Sequence, residues 1–279
     1  MNKTYSRVVV PKDLDTGTST ETSTWIAKNI SREFYLPMVV SADADITKDD
    51  LVILGGVGGH EDPRIHQKLE AKGIDYINVE KGYCNWWKPK FWRLTFNENQ
   101  VTEIKGQWDN KRFTAFNMPM RPMKKDGEQV YIVAPSQNGF DIYDLPIKVD
   151  DWIEQTVTEV KKYTDRPIKI RRKVPKKARG SRGFCDTLDN IYCVISLHTM
   201  AVTEVLREGI PVISMHPGVL KNYSSNKISQ INNLYYPSDT ERGKLFNCLT
   251  NIQFTNQELV DGEALETMCD YYGIKILPK

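Results

Sequence analysis

The chain has 279 residues, of which 40% are hydrophobic and 27% charged, and its formal net charge at pH 7 is +2. This balance is typical of a folded globular protein and argues against disorder. The sequence lacks the run of roughly 18 apolar residues that would span a membrane, and residues 1–15 lack the features of a secretory signal, so we expect a cytoplasmic protein.

Strands and helices alternate in the first part of the chain. Short apolar runs predict strands, and apolar residues at helical spacing predict helices. The glycine-rich stretch 55–59 follows the third strand, and Asp62 with Pro63 is a typical start for the next helix, which should end at Gly73. This order of strand, glycine turn, helix and strand is a βαβ unit. The predicted strands are 7–10, 38–40, 51–54 and 74–79, and the predicted helices are 24–34 and 63–72.

Residues 82–121 are aromatic and basic and show no clear period. Pro119, Pro122 and Gly127 then mark a domain boundary. We therefore predict an N-terminal domain of residues 1–125 and a C-terminal domain of residues 126–279.

The second half of the chain repeats the alternation. Its strands carry few charges, which indicates a parallel sheet covered on both faces. Asp150 or Asp151 should cap a helix that runs to Tyr163, and Thr187–Asn190 should end a short helix. The predicted strands are 129–134, 167–171, 192–197 and 210–215, and further helices are predicted at 199–207 and, as one or two pieces, at 256–272. The fold class is therefore α/β, with two Rossmann-like domains facing a cleft.

A cluster of hydroxyl and imidazole groups follows the strand predicted at 192–197. Unpaired backbone N–H groups and the dipole at the start of the next helix favour an anion there, such as a phosphate. Glu204, about one turn further on, could reach ribose hydroxyls, and His216 follows the neighbouring strand. Thr199 could instead serve only as a helix cap. The predicted anion-site residues here are Ser196, His198, Thr199, Glu204 and His216.

Residues 161–182 contain eleven basic residues and a single acid, Asp165. Such a block repels itself unless it faces phosphates or an acidic partner, although 176–182 could also be a solvated loop. Strand alternation places Lys169, Arg171 and Lys173 on one face. Together with Arg166, these cations are predicted to bind a diphosphate.

The glycine-rich stretch lets a ligand approach the backbone closely at Gly56 and Gly58. It is not a dinucleotide fingerprint, because the third glycine would fall at Glu61, and the chain has no GK[ST] phosphate loop. A nicotinamide enzyme and a P-loop kinase are therefore disfavoured. His60 or Glu61 could act as a general base, while Glu61 could equally serve only to compensate the helix dipole.

We expect no bound metal. The five cysteines form no C-x-x-C pair, which indicates free thiols in a reducing compartment rather than disulfides or a structural zinc site. The tripeptide Asp43-Ala44-Asp45 matches a short D-x-D metal motif, but such tripeptides are common and this one lies in an acidic, solvated turn.

Aromatic and basic residues are interspersed between positions 86 and 93. Flat rings stack on bases or sugars and cations meet phosphates, although the same residues could cover a domain edge. With the basic residues that follow, up to Lys125, a nucleic acid becomes a credible acceptor. The predicted acceptor-binding residues are Gly56, Gly58, Trp86, Trp87, Lys88, Lys90, Trp92 and Arg93.

Several segments, in order, resemble a family of glycosyltransferase-like proteins frequent in bacteriophages and distantly similar to capsule Kdo transferases. The similar segments are 80–83, 163–171, 194–212, 239–242, 253–255 and 258–264. The resemblance implies a GT-B fold, a nucleotide-sugar donor held by residues 126–279, an acceptor held by residues 1–125, and no essential metal. It also suggests a phage setting, in which the protein would work in the host cytoplasm.

The resemblance implies transfer of a sugar, such as glucose or arabinose, from a donor expected to be UDP-linked. The acceptor would be the hydroxymethyl group of modified cytosine in double-stranded DNA. His60 or Glu61 would help to remove the acceptor proton, and the anion-site residues would stabilise the leaving diphosphate. The alternatives are a transferase acting on surface polysaccharide, or a basic DNA-binding module without enzymatic activity.

Overall fold

A computed structural model of the chain describes residues 1–11, 18–41, 45–55, 64–84, 91–117, 119–172, 188–197, 200–216 and 218–279. The chain divides into two compact units. Residues 1–101 and 248–279 form the first unit, and residues 102–247 form the second. The second unit thus begins well before the boundary expected at residue 125, and the last segment of the chain belongs to the first unit.

The first unit contains a six-stranded sheet and a separate two-stranded sheet. Its strands are β1 (Asn2–Tyr5), β2 (Arg7–Pro11), β3 (Met38–Ser41), β4 (Asp50–Gly55), β5 (Tyr76–Lys81), β6 (Trp92–Phe96), β11 (Gln253–Phe254) and β12 (Lys275–Pro278). Its helices are α1 (Thr18–Glu33), α2 (Ile65–Lys72), α8 (Asn256–Val260) and α9 (Glu263–Tyr272).

The order of strands in the large sheet is β11-β6-β5-β4-β2-β3. Strands β2 to β5 are parallel, β6 is antiparallel to β5, and β11 is antiparallel to β6. Helices α1, α8 and α9 cover one face of this sheet, where residues such as Ile26, Ile53, Ile77 and Phe254 form the core.

The second unit contains a four-stranded, all-parallel sheet with the order β10-β9-β7-β8. Its strands are β7 (Gln129–Val133), β8 (Ile168–Arg171), β9 (Ile191–Ser196) and β10 (Val212–Ser214). Its helices are α3 (Lys111–Ala115), α4 (Gln137–Ile142), α5 (Val149–Val160) and α6 (Ala201–Arg207), with a 3-10 turn at Ile228–Gln230; α7 (Asp239–Asn251) begins in this unit.

The parallel strands of the two units follow one pattern. In each unit, the first parallel strand lies between the second and the third, and the fourth lies beyond the third. This arrangement confirms the predicted α/β class with parallel sheets. The predicted cleft between two domains stays a prediction.

The apolar runs predicted as strands all form strands, with ends that differ by one or two residues. Gly73 ends α2 in the left-handed conformation, as expected. Helix α5 begins earlier than predicted, with Lys148 as its N-cap, so Asp150 and Asp151 lie in its first turn rather than capping it. The predicted short helix ending at Asn190 is wrong for its described part, because residues 188–190 form a turn.

The segment around Pro119 and Pro122 packs on the end of α6. The amide of Arg121 donates to Arg207 O at 2.9 Å, and that of Lys124 donates to Gly209 O at 2.6 Å. A Cβ at Gly209 would lie 2.0 Å from Pro122 O, and this glycine has a φ of +76°. Only glycine tolerates both conditions. The expected linker is therefore a packed part of the second unit.

Arg242, in the first turns of α7, is fully buried, with an exposed fraction of 0%. Its Nη1 donates to Arg121 O at 2.7 Å and to Leu206 O at 3.0 Å, and its Nη2 donates to Asp239 Oδ1 at 2.5 Å. One guanidinium thus joins α7, the end of α6 and the segment packed on α6.

The described cysteines lie in the interior of the two units. Cys84, Cys193, Cys248 and Cys269 are buried, and burial raises the pKa of the Cys193 thiol to about 12. These are core thiols rather than nucleophiles.

Within the described ranges, we find no helix with the length and apolar character needed to cross a membrane.

Candidate functional site

The carboxyl edge of the second unit's sheet carries a row of aligned residues. The strand register places Arg171 beside Val133, Val133 beside Ser196, and Ser196 beside Ser214. Since neighbouring strands are about 4.8 Å apart, this row spans roughly 14 Å. Arg171 and Ser196, which the sequence assigns to one anion site, thus belong to one edge.

The edge contains the topological switch point of this sheet. The chain leaves β7 for β8 on one side, whereas β9 lies on the other side and leads to β10. Ligands of open α/β sheets bind where the connections diverge in this way, outside the carboxyl ends of the strands. The expected position for a ligand of this unit is therefore between the ends of β7 and β9.

Ser196 is buried at this edge and holds the strands together. Its Oγ donates to Val133 O at 3.3 Å, and its carbonyl accepts a hydrogen bond from Met215 N at 2.9 Å. Only 1% of the residue is exposed. The Ser196 hydroxyl proton is therefore engaged within the sheet, and the phosphate contact predicted for Ser196 stays a prediction.

His216 lies beside the end of β9, as the sequence predicts. Its amide donates to Leu197 O at 3.1 Å, which extends the strand pairing beyond β10. Its half-buried ring packs against Tyr143, with 4.2 Å between ring centroids and 45° between ring planes. Tyr143 follows α4 and was not predicted as a site residue, because a lone tyrosine after a helix carries no sequence pattern.

The predicted row of cations on β8 occupies different environments. Arg171 ends the strand at the carboxyl edge, and Lys169 lies two pairs earlier, with its Nζ 5.1 Å from the centroid of the Tyr131 ring. The next cation, Arg172, forms an ion pair with Asp150 in the first turn of α5. Of the described cations on and beside β8, Arg171 is thus the one at the carboxyl edge next to β7.

Arg166 lies at the opposite end of β8. Its guanidinium carbon is 3.8 Å from the centroid of the Tyr192 ring, and its Nη1 donates to Gly127 O at 3.1 Å. Tyr192 is the second residue of β9, so this contact marks the amino edge of the sheet. The structure therefore does not bring Arg166 together with the other predicted diphosphate ligands.

Glu204 lies in the first turn of α6, the helix that follows β9, and is half-buried. This position agrees with the expectation that it lies one turn beyond the predicted anion site. The remaining predicted site residues lie outside the described part of the chain; they are Gly56, Gly58, His60, Glu61, Trp86, Trp87, Lys88, Lys90, Lys173, His198 and Thr199.

Trp92 and Arg93 have structural contacts instead of the acceptor contacts predicted for them. Arg93 is 6% exposed, and its guanidinium carbon lies 4.9 Å from the centroid of the Tyr83 ring. The indole of Trp92 packs on the core and donates to Asn256 Oδ1 at 2.7 Å. Arg93 is buried within the strand, whereas Trp92, at the start of β6, is half-buried.

Gln253 joins the C-terminal segment to the start of the aromatic segment. Its Oε1 accepts a hydrogen bond from Cys84 N at 2.7 Å, and its Nε2 donates to Cys84 O at 2.8 Å. Gly82 N donates to Phe91 O at 2.8 Å. A Cβ at Gly82 would lie 2.7 Å from Phe91 Cβ and 2.8 Å from Gln253 Oε1, so glycine is needed there. These contacts hold Cys84 and Phe91, the described residues on either side of positions 85–90.

Glu80 is a carboxylate that sequence reasoning did not select. Gly55, the last residue of β4, pairs with Val79 of β5, so Glu80 lies at the carboxyl edge beside the start of the glycine-rich stretch. It is half-buried and pairs with Arg93 across the strands. The segment 80–83 matched the family pattern, but one acid among many gave no reason to choose it.

Among the residues that the structure describes, no three His, Cys, Asp or Glu side chains are grouped so that they could hold a metal ion. The D-x-D tripeptide lies mostly outside those residues, because Asp45 alone of the three is described.

The sequence matches no family model and no curated protein. Its structure is similar to a β Kdo 2,7 transferase of KpsC from Thermosulfurimonas dismutans, with a TM-score of 0.53, 13% identity, and coverage of 94% of this chain and 98% of that chain. A β Kdo 2,4 transferase of the same KpsC gives a TM-score of 0.48, 10% identity, and coverage of 93% and 98%. The chain therefore has a glycosyltransferase-like fold.

Proposed function

We propose that this protein is a glycosyltransferase that binds a nucleotide-sugar at the carboxyl edge of the sheet in the second unit. The observation that carries this proposal is the position of Arg171, which ends β8 directly beside the end of β7 at the switch point. A guanidinium there can form charge-assisted hydrogen bonds to a diphosphate. The fold it shares with a Kdo transferase supports the same function.

Each group at this edge has a proposed part in donor binding. Arg171 neutralises the diphosphate, and Lys169, which precedes it on β8, adds positive charge. His216 binds a phosphate or the nucleotide sugar, and Glu204 binds ribose hydroxyls. Cations and hydrogen-bond donors fixed around the leaving diphosphate stabilise the charge that develops on it during transfer. The proposed donor is UDP-linked and carries glucose or arabinose.

The proposed general base comes from the carboxyl edge of the first unit's sheet. Glu80 at the end of β5 joins His60 and Glu61 as a candidate, because it lies beside the start of the glycine-rich stretch. The base removes the proton from the acceptor hydroxyl as that oxygen attacks the anomeric carbon.

For the acceptor, we propose the hydroxymethyl group of modified cytosine in DNA. In the whole sequence, residues 102–247 contain more Lys and Arg than Asp and Glu, whereas residues 1–101 and 248–279 have an excess of acid. The basic unit suits a polyanion. A saccharide acceptor is the second candidate, favoured by the likeness to a Kdo transferase and by the burial of Arg93.

Replacing Arg171 with glutamine is expected to weaken binding of the nucleotide-sugar by about tenfold or more, because a charge-assisted contact to the diphosphate is lost. The matched control is Arg166→Gln, at the other end of the same strand, which should leave the affinity nearly unchanged. Isothermal titration calorimetry of both folded variants makes the comparison. Equal affinities for the wild type and Arg171→Gln would contradict the proposed donor site.

The acceptor can be identified by mass spectrometry of nucleosides. The protein is incubated with a panel of UDP-sugars and duplex DNA that contains 5-hydroxymethylcytosine, with unmodified DNA as the control. We expect a pentose or hexose mass gain on the modified base alone. Donor binding or hydrolysis without transfer to DNA would support the saccharide acceptor, and the absence of any donor binding would contradict the glycosyltransferase function itself.

A further inference from the structure

Two aromatic rings from separate loops meet at the carboxyl edge of the second unit's sheet. Tyr143 follows α4, the helix after β7, and His216 follows β10. Strand β9 lies between β7 and β10, so the ring contact bridges the two loops across the end of β9. The pair thus lies on the side of the edge where the switch point predicts a ligand.

The backbone of His216 is fixed, and its ring is held by Tyr143. The amide of His216 donates to Leu197 O at 3.1 Å, and its carbonyl accepts a hydrogen bond from Ser214 Oγ at 3.2 Å. These bonds set the Cα position but leave rotation about the side-chain torsions. The Tyr143 ring, at a centroid distance of 4.2 Å, restricts that rotation by direct packing.

The position of Tyr143 is itself well determined. Its amide donates to Phe140 O at 3.1 Å, and Phe140 is fully buried in the core. Gln137 of the same helix accepts a hydrogen bond from Val149 N and donates to Ile147 O, both at 3.2 Å, which ties α4 to the start of α5. The loop that carries Tyr143 is therefore anchored on both sides.

We propose that Tyr143 is a positioning residue of the donor site, which acts by holding the His216 imidazole in the orientation that binds the nucleotide-sugar. This inference rests on the proposed function, since it assigns His216 to the donor. A preorganised side chain binds more tightly because less rotational freedom is lost when the ligand arrives. Removal of the Tyr143 ring should therefore weaken donor binding through His216, whereas removal of its hydroxyl alone should not.

The test combines ring variants with a double-mutant cycle. UDP-glucose and UDP-arabinose binding is measured by calorimetry for the wild type, Tyr143→Phe, Tyr143→Leu, His216→Ala and the Tyr143→Leu/His216→Ala double variant. We expect Tyr143→Leu to weaken binding about tenfold and Tyr143→Phe to change it less than about twofold. In the His216→Ala background, Tyr143→Leu should also cost less than about twofold, because the residue through which it acts is already absent.

A second readout does not depend on the donor. The ring proton signals of His216 in the NMR spectrum of the free protein should move on Tyr143→Leu, as the ring current of Tyr143 is lost, and should stay close to their wild-type positions in Tyr143→Phe.

The outcomes separate this inference from the proposed function. If Tyr143→Leu binds the donor as tightly as the wild type does, the positioning role alone is overturned. Losses of affinity that simply add in the double variant would overturn it as well. A wild type that binds no nucleotide-sugar, with the NMR shift present, would overturn the proposed donor site and this role together.

Discussion

Replacing Gln253 with leucine is expected to lower the free energy of unfolding by about 3 kcal/mol, because it leaves a buried N–H and a buried C=O without partners. Both groups belong to Cys84, which the Gln253 amide contacts at 2.7 and 2.8 Å. Gln253 has an exposed fraction of 0%, so water cannot replace the lost bonds without reorganisation of the sheet. Urea unfolding followed by circular dichroism measures the change.

The matched control is Gln257→Leu in α8. Gln257 makes one exposed bond to Asp261, so this variant should change the unfolding free energy by less than about 0.5 kcal/mol. A similar effect of both substitutions would show that the contact of Gln253 with Cys84 contributes nothing specific. Gln253→Leu should also reduce acceptor binding more than donor binding, because Gln253 holds Cys84, which directly precedes the segment predicted to bind the acceptor.

Gln253→Glu adds a pH-dependent version of the same test. A carboxylate oxygen would replace the amide nitrogen opposite Cys84 O, and burial would raise the pKa of this new acid. Only its protonated form can donate to Cys84 O. A raised folded-state pKa means that, relative to the wild type, the variant is most stable below about pH 4.3, the unfolded value for glutamate, and loses stability as the pH rises toward the folded value. Unfolding curves at several pH values reveal that trend, and an equal loss of stability at every pH would contradict it.

Replacing Arg242 with methionine is expected to destabilise the second unit by about 3 kcal/mol, since Arg121 O and Leu206 O lose their shared donor. Methionine fills much of the same volume, so the change tests hydrogen bonds more than packing. Differential scanning calorimetry should show a lower midpoint for the transition of residues 102–247. An unchanged midpoint would mean that these carbonyls find other donors.

Two companion variants locate the effect of Arg242. Asp239→Asn removes a charge from the exposed end of the network, where the carboxylate side chain is 76% accessible, and should cost less than about 1 kcal/mol. Arg242→Lys keeps the charge but cannot reach all three acceptors with the same geometry, so its loss should be intermediate. A larger loss of stability for Asp239→Asn than for Arg242→Met would contradict the view that the hydrogen bonds from Arg242 to the two carbonyl oxygens stabilise this network.

The strands that the sequence predicts well are continuous apolar runs. Residues 51–54 and 192–197 are such runs, and they form the centre of each parallel sheet because both faces of a central strand are buried. By contrast, β6 alternates Trp92, Arg93, Leu94, Thr95 and Phe96, and its aromatic and basic residues suggested a ligand surface. The alternation in residues 92–96 was the pattern that could have identified this strand.

The contacts of the cations were the part of the structure least predictable from the sequence. Arg93 and Arg166 each pack on a tyrosine ring, and Arg242 is fully buried among carbonyl oxygens. A sequence shows the charge of such residues but not the ring or carbonyl that will receive them, since those partners come from distant parts of the chain. Arg171 was easier to place, because its position at the end of a predicted strand fixes the edge to which it belongs.

Pairings between distant segments also lay beyond sequence reasoning. Strand β1 pairs with β12, and the two-residue β11 pairs with β6. Neither β11 nor β12 has enough residues for a recognisable period. The pattern at 253–258 belongs to the segments that carry the family resemblance, and the structure shows the contact that each of these residues makes. Gln253 binds Cys84, Phe254 packs in the core, and Thr255 with Glu258 forms a capping box.

The discontinuity of the first unit reverses the usual order of folding during synthesis. Residues 102–247 are contiguous and can fold as soon as they leave the ribosome, whereas the six-stranded sheet lacks β11 until residue 254 is made. At roughly 5–20 residues per second, β6 remains an open edge for on the order of ten seconds. An unpaired edge strand is a template for association with other chains. Pairing of β11 with β6 therefore also removes this open edge from the nascent protein.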